Sequence, residues 1–249
     1  MEFADHFSRQ SRQYTQFRPR YPAELFAFLA TLPARRERAW DCGTGNGQAA
    51  VDLAAHFERV VATDASADQL SHAEAHANVE YVRAPAEVCP LEPDCVDLVT
   101  VAQAVHWFDR ARFYAEVRRV GRSGSVLAVW SYGLGSISPA VDRIVYHLYE
   151  DILGPYWPHE RRLIEQGYRT IEFPFDELAA PDFAMTAEWT LDDLLGYLST
   201  WSSLQRYIKQ HDDNPLEPVA RELAAAWGQG DSARAVRWPL YLRVGRVGK

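Results

Sequence analysis

The sequence predicts an α/β protein: a doubly wound, mostly parallel sheet, closed by an antiparallel strand and carrying a largely helical elaboration from its second half. Two observations carry this. Five apolar runs alternate with amphipathic segments between Ala23 and Trp130, and that order joins parallel strands through right-handed crossovers. The run Ala39-Trp40-Asp41-Cys42-Gly43-Thr44-Gly45-Asn46-Gly47-Gln48 then reads as a buried strand entering a glycine-rich turn and a helix.

The elements follow in order. Phe7 to Pro22 is polar and aromatic, and its two prolines argue against a continuous helix. Leu25, Phe26, Phe28, Leu29 and Leu32 predict a helix that stops before Pro33. A strand over Ala39 to Cys42 leads through the glycine turn into a helix bearing Ala49, Val51, Leu53, Ala54 and Phe57. Val60 to Asp64 is a β-branched run ending in an acid, which predicts a strand. Ala67 to Ala77 predicts a helix, Val79 to Arg83 a strand and Ala84 to Glu87 a loop. Val96 to Ala102 predicts a strand, Ala111 to Val120 a helix, Gly121 to Gly124 a turn and Ser125 to Trp130 a strand.

Beyond this the alternation breaks. Val141 to Leu153 predicts a helix, Gly154 to Pro158 an aromatic turn and Phe183 to Trp189 a strand. Leu191 to Tyr207 predicts one or two helices and Pro218 to Trp227 another. Trp238 to Val247 is the closing strand. The expected organisation is one domain over 1–249, with a ligand-binding core at 1–133, a lid over a substrate at 134–230 and the closing strand of the core at 231–249.

Composition narrows the function classes. The 249 residues are 47% hydrophobic and 24% charged, with a formal net charge of -8, an ordinary globular balance. The chain lacks the clustered basic footprint of a nucleic-acid binder. No apolar run reaches the ~20 residues that cross a membrane. Cys42, Cys89 and Cys95 have no metal-ligand spacing, so no metal is expected. The start of the sequence has no secretory pattern, which predicts a cytoplasmic protein, monomeric or homodimeric.

The glycine loop carries the chemistry. Asp41-x-Gly43-x-Gly45-x-Gly47 departs from the dinucleotide pattern G-x-G-x-x-G, because its third glycine arrives one residue early and an acid leads it. An acid there opposes a pyrophosphate and suits a cationic or amino-bearing ligand. Asp64, ending the next strand, can accept hydrogen bonds from a ribose diol. A nicotinamide-dependent oxidoreductase is the alternative that the glycine spacing and Asp41 count against.

These residues, with Ala84-Pro85-Ala86-Glu87 and Gln103-Ala104-Val105-His106-Trp107-Phe108-Asp109, resemble the class I S-adenosylmethionine-dependent methyltransferases. Within them the chain is similar to the methyltransferase type 11 group that includes trans-aconitate methyltransferase-like enzymes. The segment Tyr14 to Pro22 matches their Y-x-x-x-R-P-x-Y-P opening, and Trp201 to Tyr207 their W-S-x-x-x-x-Y segment. Ala84-Pro85 stands where many relatives carry Gly or Asp before Ala-Glu.

The resemblance implies a Rossmann-like fold and S-adenosyl-L-methionine as cofactor. It implies that Gly43, Gly45 and Gly47 lie against the methionine part, beside Asp41, that Asp64 holds the ribose, and that Ala86 and Glu87 flank the adenine. It places Gln103 and His106 at the methyl-transfer site, with Tyr14 and Arg18 closing over the cofactor carboxylate. A hydroxyl acceptor would use His106 as a base, whereas a carboxylate acceptor needs none. Trp107, Trp201 and Tyr207 are candidate walls of the acceptor pocket. Arg162, Arg169, Arg206 and Lys209 are candidates to neutralise an acidic small-molecule acceptor. A catalytically silent, cofactor-binding regulatory or scaffold protein is the alternative within the same fold.

Overall fold

The computed structural model describes residues 19–228 and 232–248. Helix α1 (Ala23–Ala30) buries Leu25, Phe26 and Leu29 and ends before Pro33. Strand β1 (Arg38–Cys42) runs into the glycine turn and α2 (Gln48–Ala54). Then come β2 (Arg59–Asp64), α3 (Ala67–Ser71), β3 (Val79–Arg83) and β4 (Val96–Ala102). A 3-10 turn, Val105–Trp107, leads to α4 (Arg110–Val120) and β5 (Gly121–Tyr132).

The second half holds α5 (Pro139–Tyr146), which continues as a π-helical turn, His147–Ile152, and a 3-10 turn, Gly154–Tyr156. Next are α6 (Arg161–Glu165), β6 (Asp176–Glu177), β7 (Phe183–Trp189), α7 (Leu191–Ser199), α8 (Ser202–His211), α9 (Leu216–Trp227) and β8 (Arg234–Arg246).

The eight strands form one sheet in the order β3-β2-β1-β4-β5-β8-β6, with β7 also on β8. The pairs among β1 to β5 are parallel, and β8 is antiparallel to β5. The chain therefore winds outward from β1 to β3 and, from β4, outward the other way. The switch point lies between β1 and β4, and their carboxyl ends bring the glycine loop beside Gln103. β8 lends its second half to β5 and its first half to β7. The second-half segment is therefore stitched into the sheet by strand pairing as well as packed over it. One apolar cluster runs without a break from Leu25 and Leu53 through Trp130 to Trp189, Leu198 and Trp227.

Three expected boundaries move. The helix over Ala67 to Ala77 stops at Ser71. Its alanines favour helix but have little to bury, and the carbonyl of Glu74 instead accepts from Tyr81 Oη at 2.8 Å. The turn Gly121 to Gly124 is a bulge inside β5: Val96 faces Gly121 while Leu98 faces Val126. Residues 161–165 and 176–177 form a short helix and a short strand that periodicity did not suggest.

One buried carboxylate fastens the amino end of β1. Asp97 Oδ2 accepts from Glu37 N and Arg38 N at 3.0 and 2.9 Å, and Oδ1 accepts from Arg122 Nη1 at 2.9 Å. Substituting Asp97→Ala leaves the two backbone donors unpaired and Arg122 with Glu37 Oε2, at 2.7 Å, as its remaining ion pair, and should cost about 2–4 kcal/mol. Urea denaturation at unchanged m-value measures this; a loss below about 1 kcal/mol would show that the brace is not used.

Candidate active site

The glycine loop is shaped by what surrounds it. Gly43 (φ +68) has room for no side chain: a Cβ there would lie 2.7 Å from Ala104 Cβ and 3.0 Å from Phe108 Cζ. Gly47 (φ +86) is tighter, with Tyr81 Oη 2.2 Å from the same position. Both glycines therefore answer to sterics and to a left-handed backbone. Among the described residues a Cβ at Gly45 would meet only Gln69 Oε1, at 3.8 Å, so they leave that face of the loop open. The loop backbone is tied to β2, since Gly43 N and Thr44 N donate to Thr63 O at 2.8 and 3.0 Å.

Asp41 does not face that open side. It is fully buried, accepting from Thr44 Oγ1 at 2.5 Å and from Thr100 Oγ1 at 2.7 Å. This corrects the expectation that its carboxylate meets a cationic ligand; it braces the loop against β4. Burial pushes its pKa up to about 6, against the pull of the two hydroxyls, with Asp64 adding a small rise.

Asp64 is oriented by backbone. Its Oδ2 accepts from Gly45 N at 2.9 Å and its Oδ1 from Ser66 N at 2.8 Å. Each oxygen keeps a further lone pair. Burial raises its pKa, and the two backbone bonds lower it. Ser66 also caps α3, accepting from Gln69 N at 3.3 Å. Ala86 is buried. Glu87 Oε1 accepts from Asp109 N at 2.9 Å, joining the loop after β3 to the one after β4.

Gln103 stands in the left-handed region (φ +55) directly after β4. Its Nε2 donates to Tyr132 O at 3.3 Å, while its Oε1 is buried with no donor among the described residues. A strained residue with an orphaned acceptor is a mark of a ligand site. His106 is buried, its Nδ1 2.7 Å from Tyr168 Oη. Burial first, then the Arg161 and Arg110 charges, lower its pKa to about 3. It is therefore neutral and weakly basic, which counts against the expected general base. The His106 ring packs on Trp107, which is partly exposed, with centroids 4.8 Å apart.

Trp201 and Tyr207 stand apart from this group. Trp201 is buried among Tyr149, Trp157 and Tyr197, at 5.6, 5.6 and 6.0 Å. The cavity that Trp201 borders measures about 10 Å³, room for about one water, so it holds no acceptor here. Tyr207 packs on Tyr156 and His211 at 5.0 and 4.5 Å. Tyr14 and Arg18 lie outside the described residues. The described start of the chain does reach the loop, because Gln48 Nε2 donates to Pro19 O at 3.1 Å.

Sequence reasoning missed Tyr168 and Arg161. Tyr168 is fully buried in a left-handed conformation (φ +58) after Gly167; the Gly-Tyr dipeptide after a short helical stretch was the available signal. Among the described residues no group of His, Cys, Asp and Glu is arranged to hold a metal. No described helix is long and apolar enough to cross a membrane.

A closed loop against the sheet edge, an acid ending β2 and an open face between them define a nucleoside-binding Rossmann-like site. Residues 40–129 match the family model described as a methyltransferase domain. A methyltransferase of Dictyostelium discoideum is 36% identical over 97% of this chain and 94% of its own. The solved structure of a type II methyltransferase of Anaeromyxobacter dehalogenans is 45% identical, covers 93% of this chain and 98% of its own, and superposes with a TM-score of 0.88. A malonyl-[acyl-carrier protein] O-methyltransferase of Pectobacterium atrosepticum is 32% identical over 54% of each chain. The chain belongs to the class I S-adenosylmethionine-dependent methyltransferases. Its cofactor is S-adenosylmethionine, and the site suits it: the open face at Gly45 leaves space, and Gln103 Oε1 lacks the N–H donor that an amino-acid group carries.

The buried carboxylate makes a pH test. The folded-state pKa of Asp41 exceeds the 3.8 of the free side chain. Its contribution to stability is therefore full below that value and is lost as pH rises through about 6. His106 works in the opposite sense, its contribution being lost as pH falls from 6.5 towards about 3. Comparison with Asp41→Asn isolates the first effect. The unfolding free energy of the wild type minus that of the variant should fall by about 2 kcal/mol between about pH 4 and pH 7. A difference constant across that range would show that Asp41 ionises as freely folded as unfolded.

Proposed function

We propose that this methyltransferase transfers its methyl group to an oxygen of a small-molecule acceptor, a carboxylate in preference to a hydroxyl. The observation that carries the reading is the His106–Tyr168 pair, a buried imidazole with Nδ1 already engaged and little basicity left. A hydroxyl acceptor must lose a proton and gains little from such a group, whereas a carboxylate brings its own nucleophilic lone pair. The malonyl-[acyl-carrier protein] O-methyltransferase among the relatives supports an oxygen acceptor.

S-adenosylmethionine supplies, when bound, a methyl group already activated on a sulfonium. The protein's own work is then to bind, orient and exclude water. The bare backbone of Gly43, Gly45 and Gly47 makes room for the methionine part, and Asp41 holds that backbone in place. Asp64 holds the ribose diol with its remaining lone pairs. Ala86 and Glu87 flank the adenine, and Gln103 Oε1 takes a donor from the amino-acid end. Tyr14 and Arg18 close over the cofactor carboxylate, as the resemblance implies. Residues 1–133 make up the donor-binding core, 134–230 the cover over the acceptor and 231–249 the closing strand. Trp107 forms part of the acceptor wall, while Trp201 and Tyr207 stiffen the cover from behind.

Calorimetric titration with S-adenosylhomocysteine tests the donor site, and absence of binding at up to about 1 mM would remove it. Substituting Asp64→Ala should weaken that binding by about 1–3 kcal/mol, the loss of a charge-assisted partner; unchanged affinity would exclude the ribose role. With a carboxylate acceptor, kcat/KM should stay flat between about pH 6 and pH 8, since no enzyme base titrates there. A rise centred near the free histidine value would return His106 to the role of base.

A further inference from the structure

We propose that Arg161 is the residue that selects the acceptor, its guanidinium gripping a carboxylate of the incoming molecule beside the His106–Tyr168 pair. This rests on the methyltransferase reading above and names the group that recognises its substrate.

Arg161 opens α6, half-buried, and is held in a fixed pose. Its guanidinium carbon lies 4.7 Å over the Trp157 ring and 5.4 Å over that of Tyr149. Its Nε donates to Tyr149 Oη at 2.8 Å. Stacking on aromatic faces and one anchored nitrogen set the plane of the group and leave its outer edge for in-plane hydrogen bonds. No hydrogen bond from either Nη is present among the described residues, and no ion pair to Arg161.

The missing ion pair is informative because a partner stands nearby. Glu165 is one helical turn on, at the spacing where opposite charges usually meet. Its Oε1 instead accepts from Tyr149 Oη, the hydroxyl that also receives Arg161 Nε. Glu165 thus supports the arginine through Tyr149 and does not neutralise it. In a chain of net charge -8, a half-buried arginine held against two rings and left without a carboxylate has its strongest bonding capacity unused.

Its position places that capacity at the site. α6 packs on the 3-10 turn that carries His106 and on β5, and Tyr168 follows the helix directly. The Arg161 charge bears on both members of the pair, disfavouring protonation of His106 and opposing the rise in the Tyr168 pKa. The cations expected from the sequence are less suited. Arg162, Arg169 and Lys209 are exposed. Arg169 Nε is turned back to Gln166 O, and Arg206 Nη1 donates to Tyr156 O.

The test uses the full chain saturated with S-adenosylhomocysteine, followed by thermal melting with succinate, benzoate or citrate, and with succinamide and benzamide as uncharged controls. At least one carboxylate should raise the wild-type Tm while the amides do not. Arg161→Gln should weaken the apparent carboxylate affinity about tenfold or more, with S-adenosylhomocysteine affinity kept within about twofold. Arg161→Lys, which keeps the charge and loses the fork, should fall between them. For any carboxylate that turns over, Arg161→Gln should raise the acceptor KM more than it lowers kcat. If the wild-type complex responds to no carboxylate at up to about 10 mM, or if Arg161→Gln responds as the wild type does, the proposal is overturned and the donor site stands. If S-adenosylhomocysteine itself fails to bind, both readings fall together.

Discussion

The site depends on one buried carboxylate. Asp41 sits at the carboxyl end of the central strand with no exposure, and its two oxygens accept from Thr44 in the glycine loop and Thr100 on the neighbouring strand. An unpartnered carboxylate there would cost far more than a fold can spare; two hydroxyl donors offset part of that, and the raised pKa shows that the rest is unpaid by hydrogen bonding. What is gained is location. The loop is pinned to β4, so the open face at Gly45 and the strained Gln103 keep a constant relation across the switch point of the sheet. Tyr81 behind Gly47 and Phe108 behind Gly43 then leave the loop no second arrangement.

The donor side was readable in the sequence because backbone makes it. Glycines at every second position, an acid at or next to the end of each of two consecutive strands and the order of alternating elements are local signals, and the strands, turn and helices formed in that order. Asp41 shows the limit of such reading. Its position followed from the pattern, but its direction depended on Thr100, 59 residues away. The short α3 shows another limit, since alanine-rich propensity predicted about three turns of helix where Tyr81 had already claimed the Glu74 carbonyl. The acceptor side was hardly readable. Tyr168 meets His106 across 62 residues, and nothing in the neighbourhood of Arg161 distinguishes it from Arg162 except the rings that fold onto it.

Strain and charge are sorted in the same way beyond the end of β4. Two of the left-handed non-glycine residues are Gln103, directly after that strand, and Tyr168, bonded to His106 in the turn that follows. Such conformations persist where surrounding structure holds them: Gln103 by its backbone bond to Trp130 O, Tyr168 by burial and the bond to His106. Buried titratable groups at this end of the sheet are pushed towards their neutral forms, His106 downward and Tyr168 and Asp41 upward. Burial is the largest cause in each case, so one physical term silences several acids and bases together.

That common silence bears on the chemistry. A transfer from a cationic donor to a carboxylate joins opposite charges and leaves neutral products, and low-dielectric surroundings favour loss of charge. A hydroxyl acceptor would instead release a proton into surroundings where His106 takes it poorly. The same surroundings would expel a carboxylate before reaction unless a cation met it, because desolvation of an unpaired anion is costly. On the proposed reading, a half-buried arginine fixed against Tyr149 and Trp157, with its carboxylate neighbour engaged elsewhere, would supply that cation without adding a base. Neutral imidazole and unpaired guanidinium are thus two consequences of one arrangement, in which α6 and Tyr168 pack on the turn that follows β4.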